Sequence, residues 1–540
     1  MPVASPPTES GARALQREAG LTPTPERQHA AWWRSAAWLT LLFGAEVVAL
    51  NVLELPLSLD FTHFFFGDQG ANLTIQYLVA HGYRPNVDFG YHYGLLPILF
   101  GRVWFGLVGA TPVGYQAAMV VVGLLMAWAL ARLAANLQVA RVGLLFLFCA
   151  MPFAIMSSYG NFAHALEAVL LCNALAEQAA SRYPSALVLA TAACFAKPAM
   201  GYIYGALLLV LIVTDCWRRG SPVRALGSSL LPAALVGVGL MAILCFEYGV
   251  APLLATILPV TGMRAYRSVH LGFFTGEGRS TWYFPGVRPG YYVGTQAGLF
   301  LAASAVLLVA GVWDLAAKGY LPARDKIGPL ATNAARIVIV SAVMQTAFVA
   351  LLYGGAGSWH YYSYLIPAGL AAGMNRNPIA RKLSWLLVLV ALVGNWTTLR
   401  SSWQAWCSEV RSVASDSLWA QPERLAEWER VLSMVGSRRA VLLATNGGAS
   451  LLGPGFVKPE WLWIVPGLTS PGDVARIVAN TAAADLVVVA AMPEYSYNLP
   501  RFPAIERAIR KRRTIAFKGR YFEVWERSRT VPAGQKRSHK

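Results

Sequence analysis

Between residues 36 and 398 the chain carries eleven apolar runs, near 36–56, 113–131, 142–157, 162–180, 185–197, 199–214, 227–248, 293–313, 335–354, 359–374 and 383–398. Runs of about 15 to 22 apolar residues match a hydrocarbon layer roughly 30 Å thick once tilt or flanking residues are allowed for. Lipid offers the backbone no hydrogen-bond partners, so such runs must fold as helices that satisfy their own amides. Two of them, 185–197 and 359–374, are short and need flanking residues to reach across. Only 13% of residues are charged, about half the roughly 25% of a soluble chain. The length of 540 residues also exceeds the roughly 250 to 300 at which a single core stops growing. A single water-soluble globule is excluded. The pattern predicts a polytopic α-helical membrane protein, about eleven transmembrane helices, with a smaller soluble part.

The formal charge of +18, from 45 bases against 27 acids, would point to nucleic acid in a soluble protein. Here the bases follow membrane sidedness instead, and no nucleic-acid partner is expected. A further apolar segment, 94–110, holds Arg102 in its middle and Pro97 near its start. If it does not cross, seventeen bases gather on one side: Arg13, Arg17, Arg27, Arg34, Arg132, Arg141, Arg182, Arg218, Arg219, Arg224, Lys318, Arg324, Lys326, Arg336, Arg376, Arg381 and Lys382. Short cytoplasmic loops retain Lys and Arg, so that side is cytoplasmic and 94–110 lies flat on the outer face as an interfacial helix. Residues 1–34, polar and rich in proline, read as a disordered cytoplasmic tail. No small-residue cleavage site follows the first apolar run, which therefore stays as a membrane anchor. The six cysteines stand singly and far apart, with neither a disulfide framework nor zinc spacing.

With that sidedness the transmembrane domain covers 35–398 and exposes two long outer loops, 57–112 and 249–292. From 399 to 528 the composition is mixed. Segments 440–445, 485–490, 513–517 and 521–525 read as strands, and 472–483 and 502–512 as helices, an alternation that predicts a small α/β domain on the outer, periplasmic side. Residues 529–540 form a basic disordered tail. The "TNGGAS" after the first strand lacks the spacing and lysine of a phosphate-binding loop. The run Arg510, Lys511, Arg512, Arg513 reads as a solvated helix end, with contact to anionic lipid headgroups as the alternative.

There is no Walker A, HExxH, GxSxG or Asp-x-Asp in the chain, so nothing supports a divalent metal or any other cofactor. What remains is a set of ionisable groups at the outer ends of spans. Asp68, in "FFFGDQG", follows three aromatics; Asp88, in "RPNVDFGYHYG", is followed by Tyr91, His92 and Tyr93. Lys197, in "CFAKPAMG", lies between two apolar runs, where a charge is costly and a role in function is the default reading. His164 and Glu167 are three residues apart and share a helix face. Arg264 and Arg267 in the second loop, His360, and Arg84 beside Asp88 complete the candidates for substrate binding. Each has a structural alternative: Asp68 fits a helix N-cap, Lys197 fits snorkelling to the interface, and Asp88 fits a loop held through Arg84 or Tyr91.

The order "GDQG…LVAHGYRPNVDFGYHYGLLPILFGRVWFGLVG", then "SSYGNFAHALEAVLL", then "TAACFAKPAMGYIYGALLLVL" resembles the GT-C membrane glycosyltransferases, in particular bacterial relatives of the protein O-mannosyltransferases and the lipid A aminoarabinose transferase. The resemblance covers roughly residues 36 to 220 in detail and the rest in layout. It implies a multi-pass protein of the bacterial inner membrane that transfers a sugar, with inversion, from a polyprenyl-phosphate donor to a lipid or glycan acceptor hydroxyl on the periplasmic side. Asp68 falls on the position of the family's catalytic base, with Gln69 where many relatives carry Glu. Lys197 falls where a lysine suits the donor phosphate; a cation there stabilises the leaving group, and Arg84 or an arginine of the 249–292 loop is placed to help it. The family's membrane-lying outer helix matches 94–110. Two other classes stay open: a transporter or flippase of a lipid-linked glycan, and a noncatalytic membrane subunit. Transporters tend to show internal repeats and interrupted helices, neither of which is visible in this sequence.

Overall fold

The computed structural model describes residues 35–91, 93–158, 161–218, 222–258, 309, 336–337, 340, 378–411, 418–465, 468–490 and 502–528. The runs 293–313, 335–354 and 359–374, most of the loop 249–292, and both tails lie outside these residues, apart from isolated positions. Of the other eight apolar runs, seven each lie on one helix, and 36–56 breaks at Glu54 into two.

Helix α1 (Ala36–Leu53) is capped by Ser35, whose hydroxyl accepts from the Trp38 amide at 3.2 Å. Three short helices follow: α2 (Leu55–Ser58), α3 (Phe61–Phe66) and α4 (Asp68–Ala80). Then come α5 (Leu96–Val108), α6 (Pro112–Asn136), α7 (Arg141–Ser158), α8 (Phe162–Ala179), α9 (Tyr183–Ala196), α10 (Pro198–Arg218), α11 (Pro222–Tyr248), α12 (Val250–Ile257) and α13 (Pro378–Ser408). Among the described residues, three segments are long and apolar enough to cross a membrane: Ala36–Leu53, Pro112–Asn136 and Leu226–Tyr248. On α1, Leu39, Phe43, Val47 and Asn51 recur at helical spacing and are buried, while Leu41, Leu42, Val48 and Val52 are exposed. One face packs on protein and the other is left for lipid.

Helix α8 is different, because nearly every residue on it is buried, including His164, Glu167, Asn173, Glu177 and Gln178. It is the central post, with α6, α9, α10, α5 and α7 packed around it. Several of its polar groups are matched within protein. At its C-terminal end Arg132 and Arg182 pair with Glu177, and the Tyr204 hydroxyl donates to Gln178 Oε1 at 2.8 Å.

Helix α5 has 13 residues, about 20 Å at 1.5 Å per residue, well short of a roughly 30 Å crossing. Pro97, Ile98, Gly101 and Phe105 are buried, and Val103, Leu107 and Val108 are exposed. Arg102, the residue that makes the segment awkward as a span, pairs with Glu247 near the end of α11.

Helix α13 runs on to Ser408, past the compositional change at 399. No proline or glycine interrupts residues 399–408, and the Trp406 indole donates to the Leu53 carbonyl at 2.7 Å. After β1 (Val410–Arg411), β2 (Trp419–Ala420) and α14 (Pro422–Val435) come β3 (Ala440–Leu443), α15 (Gly448–Leu452), α16 (Pro471–Ala483), β4 (Leu486–Ala490), α17 (Pro503–Arg510), β5 (Arg513–Lys518) and β6 (Phe522–Arg527). The sheet order is β3-β4-β6-β5, with β3 and β4 parallel and the other pairs antiparallel. Strand β4, LVVVA, is buried on both faces, as a central strand covered on each side requires. Arg513 departs from the reading of a solvated basic run. It is buried and donates to the carbonyls of Ala508, Thr481 and Ala484, and burial lowers its pKa.

The sheet region is fastened to the helical bundle by aromatics of α3. Phe61 and Phe65 stack at 3.7 Å and meet the Trp428 ring edge-on at 5.3 and 5.1 Å. Both also meet Phe522 edge-on. Phe64 turns the other way, onto Tyr115 of α6 at 6.3 Å. Such pairs add about 0.5–1.5 kcal/mol each beyond the area they bury. The aromatics ahead of Asp68 at 61, 64 and 65 therefore join two parts of the protein.

Candidate functional site

The site grows from the turn between α3 and α4. Asp60 caps α3 by accepting the Thr62 amide at 2.6 Å, and after six helical residues the chain reaches the C-cap Gly67. Gly67 is also the N-cap of α4, so Asp68 is the first residue inside that helix and makes no capping bond. The capping alternative for Asp68 is thereby set aside. Its carboxyl instead receives a hydrogen bond from the Asn161 side chain. Asn161 is itself the N-cap of α8, its Oδ1 accepting from the Ala163 amide at 2.8 Å. Burial pushes the Asp68 carboxyl up from 3.8 to about 6, against the smaller opposing pull of the Asn161 hydrogen bond.

One turn along α8 from Asn161 stands the second group. Lys197 is the C-cap of α9, in extended backbone just before Pro198, where a residue preceding proline is disfavoured from continuing a helix. Its ammonium lies 3.0 Å from His164 Nδ1 and 3.8 Å from Glu167 Oε2. An ammonium only donates, so Nδ1 accepts and the neutral ring carries its proton on Nε2. That N–H then donates to the Tyr93 hydroxyl, 3.3 Å away. Lys197, His164 and Glu167 are all buried, so Lys197 does not snorkel. His164 and Glu167 do share a face, and that face holds Lys197. Asp68 and Lys197 thus reach the same end of α8 through Asn161 and His164, three residues apart.

The loop that brings Tyr93 is seated by its backbone. The Gly94 amide donates to the Ala196 carbonyl at 3.0 Å, and the Tyr91 hydroxyl donates to the Gly94 carbonyl at 3.1 Å. A Cβ on Gly94 would come within 1.9 Å of the Phe195 carbonyl oxygen, a backbone atom that cannot step aside. Gly94→Ala should destabilise the protein by about 1–3 kcal/mol through overpacking, read as a lower melting temperature in detergent. An unchanged melt would show that this loop is not seated on α9.

Asp88 accepts from the Arg84 amide at 2.7 Å and lies 3.5 Å from Arg84 Nε. Both side chains are partly or largely exposed, and the pair holds its own loop. Arg84 makes its ion pair with Asp88. His92, Arg264, Arg267 and His360 lie outside the described residues.

Three contributors are absent from the sequence reading. Asn161 carries a local signal, an Asn directly before an apolar helical run. Asn446 and Arg476 come from the sheet region. The Asn446 amide donates to the Gly67 carbonyl at 2.8 Å, while Arg476 donates to the Asp88 carbonyl and, at 2.9 Å, to the Glu460 carbonyl. "TNGGAS" is therefore a docking surface. A Cβ on Gly448 would lie 2.6 Å from Gly70 Cα, so the two glycines let the backbones of α15 and α4 touch.

No family model matches the sequence, and the search of curated proteins finds no match. Among solved structures, the mycobacterial arabinofuranosyltransferase AftD, determined by single-particle cryo-electron microscopy, aligns with a TM-score of 0.45 at 13% identity. The alignment covers 92% of this chain and 40% of AftD, so the chain spans less than half the length of that protein.

Proposed function

We propose that the protein is an integral-membrane glycosyltransferase of GT-C type, acting at the periplasmic face of a bacterial inner membrane. It transfers a sugar from a polyprenyl-phosphate donor to a lipid or glycan hydroxyl, with inversion and with Asp68 as general base. The observation that carries this reading is the setting of Asp68: a carboxyl held by Asn161 and raised to about 6. Such a group is ionised at neutral pH and still basic enough to draw a proton from a hydroxyl as it attacks. The acceptor oxygen bonds to the anomeric carbon from the face opposite the phosphate. Its proton passes to Asp68, and the electron pair of the breaking bond leaves with the polyprenyl phosphate, which needs no general acid.

Lys197 is the cation for the departing phosphate, because positive charge held near growing negative charge lowers the barrier. Its bonds to His164 and Glu167 hold it ready at the end of α8. Tyr93 and Tyr91 shape the wall beside it. Helix α5 lies along the membrane with Val103, Leu107 and Val108 toward lipid, and Arg84 and Asp88 hold the loop above.

The test is turnover by the full chain in detergent with a panel of synthetic short-chain polyprenyl-phosphate hexoses and pentoses, reading release of polyprenyl phosphate. The expected log kcat/KM climbs with pH up to about 6 and then levels. A rate flat from about pH 4 to about pH 8 would remove the base from the mechanism, and absence of release across the panel would overturn the assignment.

A further inference from the structure

The N-cap of α4 is a glycine and offers no side chain to the first amides of the helix; within the helix, Asn72 Nδ2 donates to the Asp68 carbonyl at 2.7 Å. Asn446, 1% exposed, holds the peptide at that N-cap from outside the helix. Its Nδ2 donates to the Gly67 carbonyl at 2.8 Å, and its Oδ1 accepts the Gly448 amide at 2.8 Å, so the amide is held at both ends and cannot turn. Its backbone is fixed as well. Asn446 bridges to Trp463, the Gly447 amide donates to Leu462 O at 3.1 Å, and the Ile464 amide donates to Thr445 O at 2.8 Å. Behind this strip, Leu462, Trp463 and Val465 share a core with Ile75 and Leu78 of α4 and with Phe89 and Tyr91 of the loop. The tip of β3 is thus anchored both to its own sheet and to the helix that begins with Asp68.

We infer that Asn446 is a positioning residue for Asp68, and that the C-terminal sheet region is a part of the reaction centre and not an appendage to it. The inference rests on the reading of Asp68 as base. Asp68 is gripped from two directions, by Asn161 on its carboxyl and by Asn446 on the peptide immediately before it. A misplacement of about 1 Å at a reacting group costs on the order of a hundredfold in rate, so loosening either grip falls on kcat. Arg476 applies the same device to Asp88, another acid of the loop, through its carbonyl.

The experiment compares Asn446→Ala, Asn446→Asp and Asp68→Asn in the full chain, using the same donor panel. Asn446→Ala is expected to lower kcat about tenfold to a hundredfold, to leave KM within about twofold, and to move the acid limb below 6 as water reaches Asp68. Asn446→Asp has the same shape and still accepts from Gly448, but it sets an oxygen against the Gly67 carbonyl. It should lose at least as much activity, and it serves if the alanine variant does not accumulate. Hydrogen exchange of a peptide covering residues 64–72 should speed up in both variants, a reading that needs no turnover. If Asp68→Asn is inactive while the Asn446 variants keep the wild-type kcat, acid limb and exchange, the positioning role fails and the base survives. Full activity in Asp68→Asn removes the base, and the positioning role with it.

Discussion

Asp68→Asn should reduce transfer by about 10²- to 10⁴-fold, the usual contribution of a positioned acid or base, and should at the same time make the protein more stable at neutral pH. The second half follows from linkage. The Asp68 carboxyl titrates near 3.8 when unfolded and near 6 when folded, so between those values the folded state holds the proton and the unfolded state has released it. Stability falls as pH rises where the native state binds more protons. The cost is absent below about pH 4, builds through the window, and is complete above about pH 6, reaching at most about 3 kcal/mol at 1.36 kcal/mol per unit. An amide of the same shape carries no charge to desolvate and still accepts from Asn161. Melting curves at pH 4 and pH 8 should therefore differ in their response: the variant matches wild type in acid and melts higher in base. A variant that melts lower at both pH values would mean the carboxylate is stabilising the fold, contrary to the burial argument.

Lys197→Met should be the most damaging single change to stability among those considered. Glu167 is fully buried and Lys197 nearly so, and removing one partner of a buried ion pair costs about 3–5 kcal/mol because the other charge is left uncompensated. Adding Glu167→Gln removes the stranded carboxylate, and the double variant should recover most of the lost melting temperature. Transfer should not recover with it, since the cation for the phosphate is still missing. A double variant that regains both stability and turnover would reduce Lys197 to a structural role. One that regains neither would indicate that Lys197 is held chiefly by His164.

The pattern of apolar runs carried much of the helical framework, because length and composition alone decide whether a segment satisfies its backbone in lipid. Strand β4 was equally legible from its run of valines. What hydropathy does not separate is lipid from protein interior. The run 162–180 reads like any other span, yet α8 is buried all round, and this is why His164 and Glu167 meet Lys197. The residues converging on Asp68 were legible only in part. Asn161 has the local signature of a cap, but its reach to a carboxyl 93 positions earlier is set by tertiary packing. Gly447 and Gly448 attract attention as a phosphate loop would, while their smallness serves contact between two backbones. The run 510–513 shows the same limit: four adjacent bases look alike in sequence, and only Arg513 turns inward to three carbonyls.

The aromatic joint of α3 has a consequence for biogenesis. Phe61 and Phe65 leave the ribosome more than 350 residues before Trp428 and Phe522, a delay of roughly 20 to 70 s at typical synthesis rates. Throughout that interval the two rings stack on each other without Trp428 and Phe522, and the newborn bundle must shelter their other faces until the last fifth of the chain is made. Maturation of the first loop is therefore tied to the completion of synthesis.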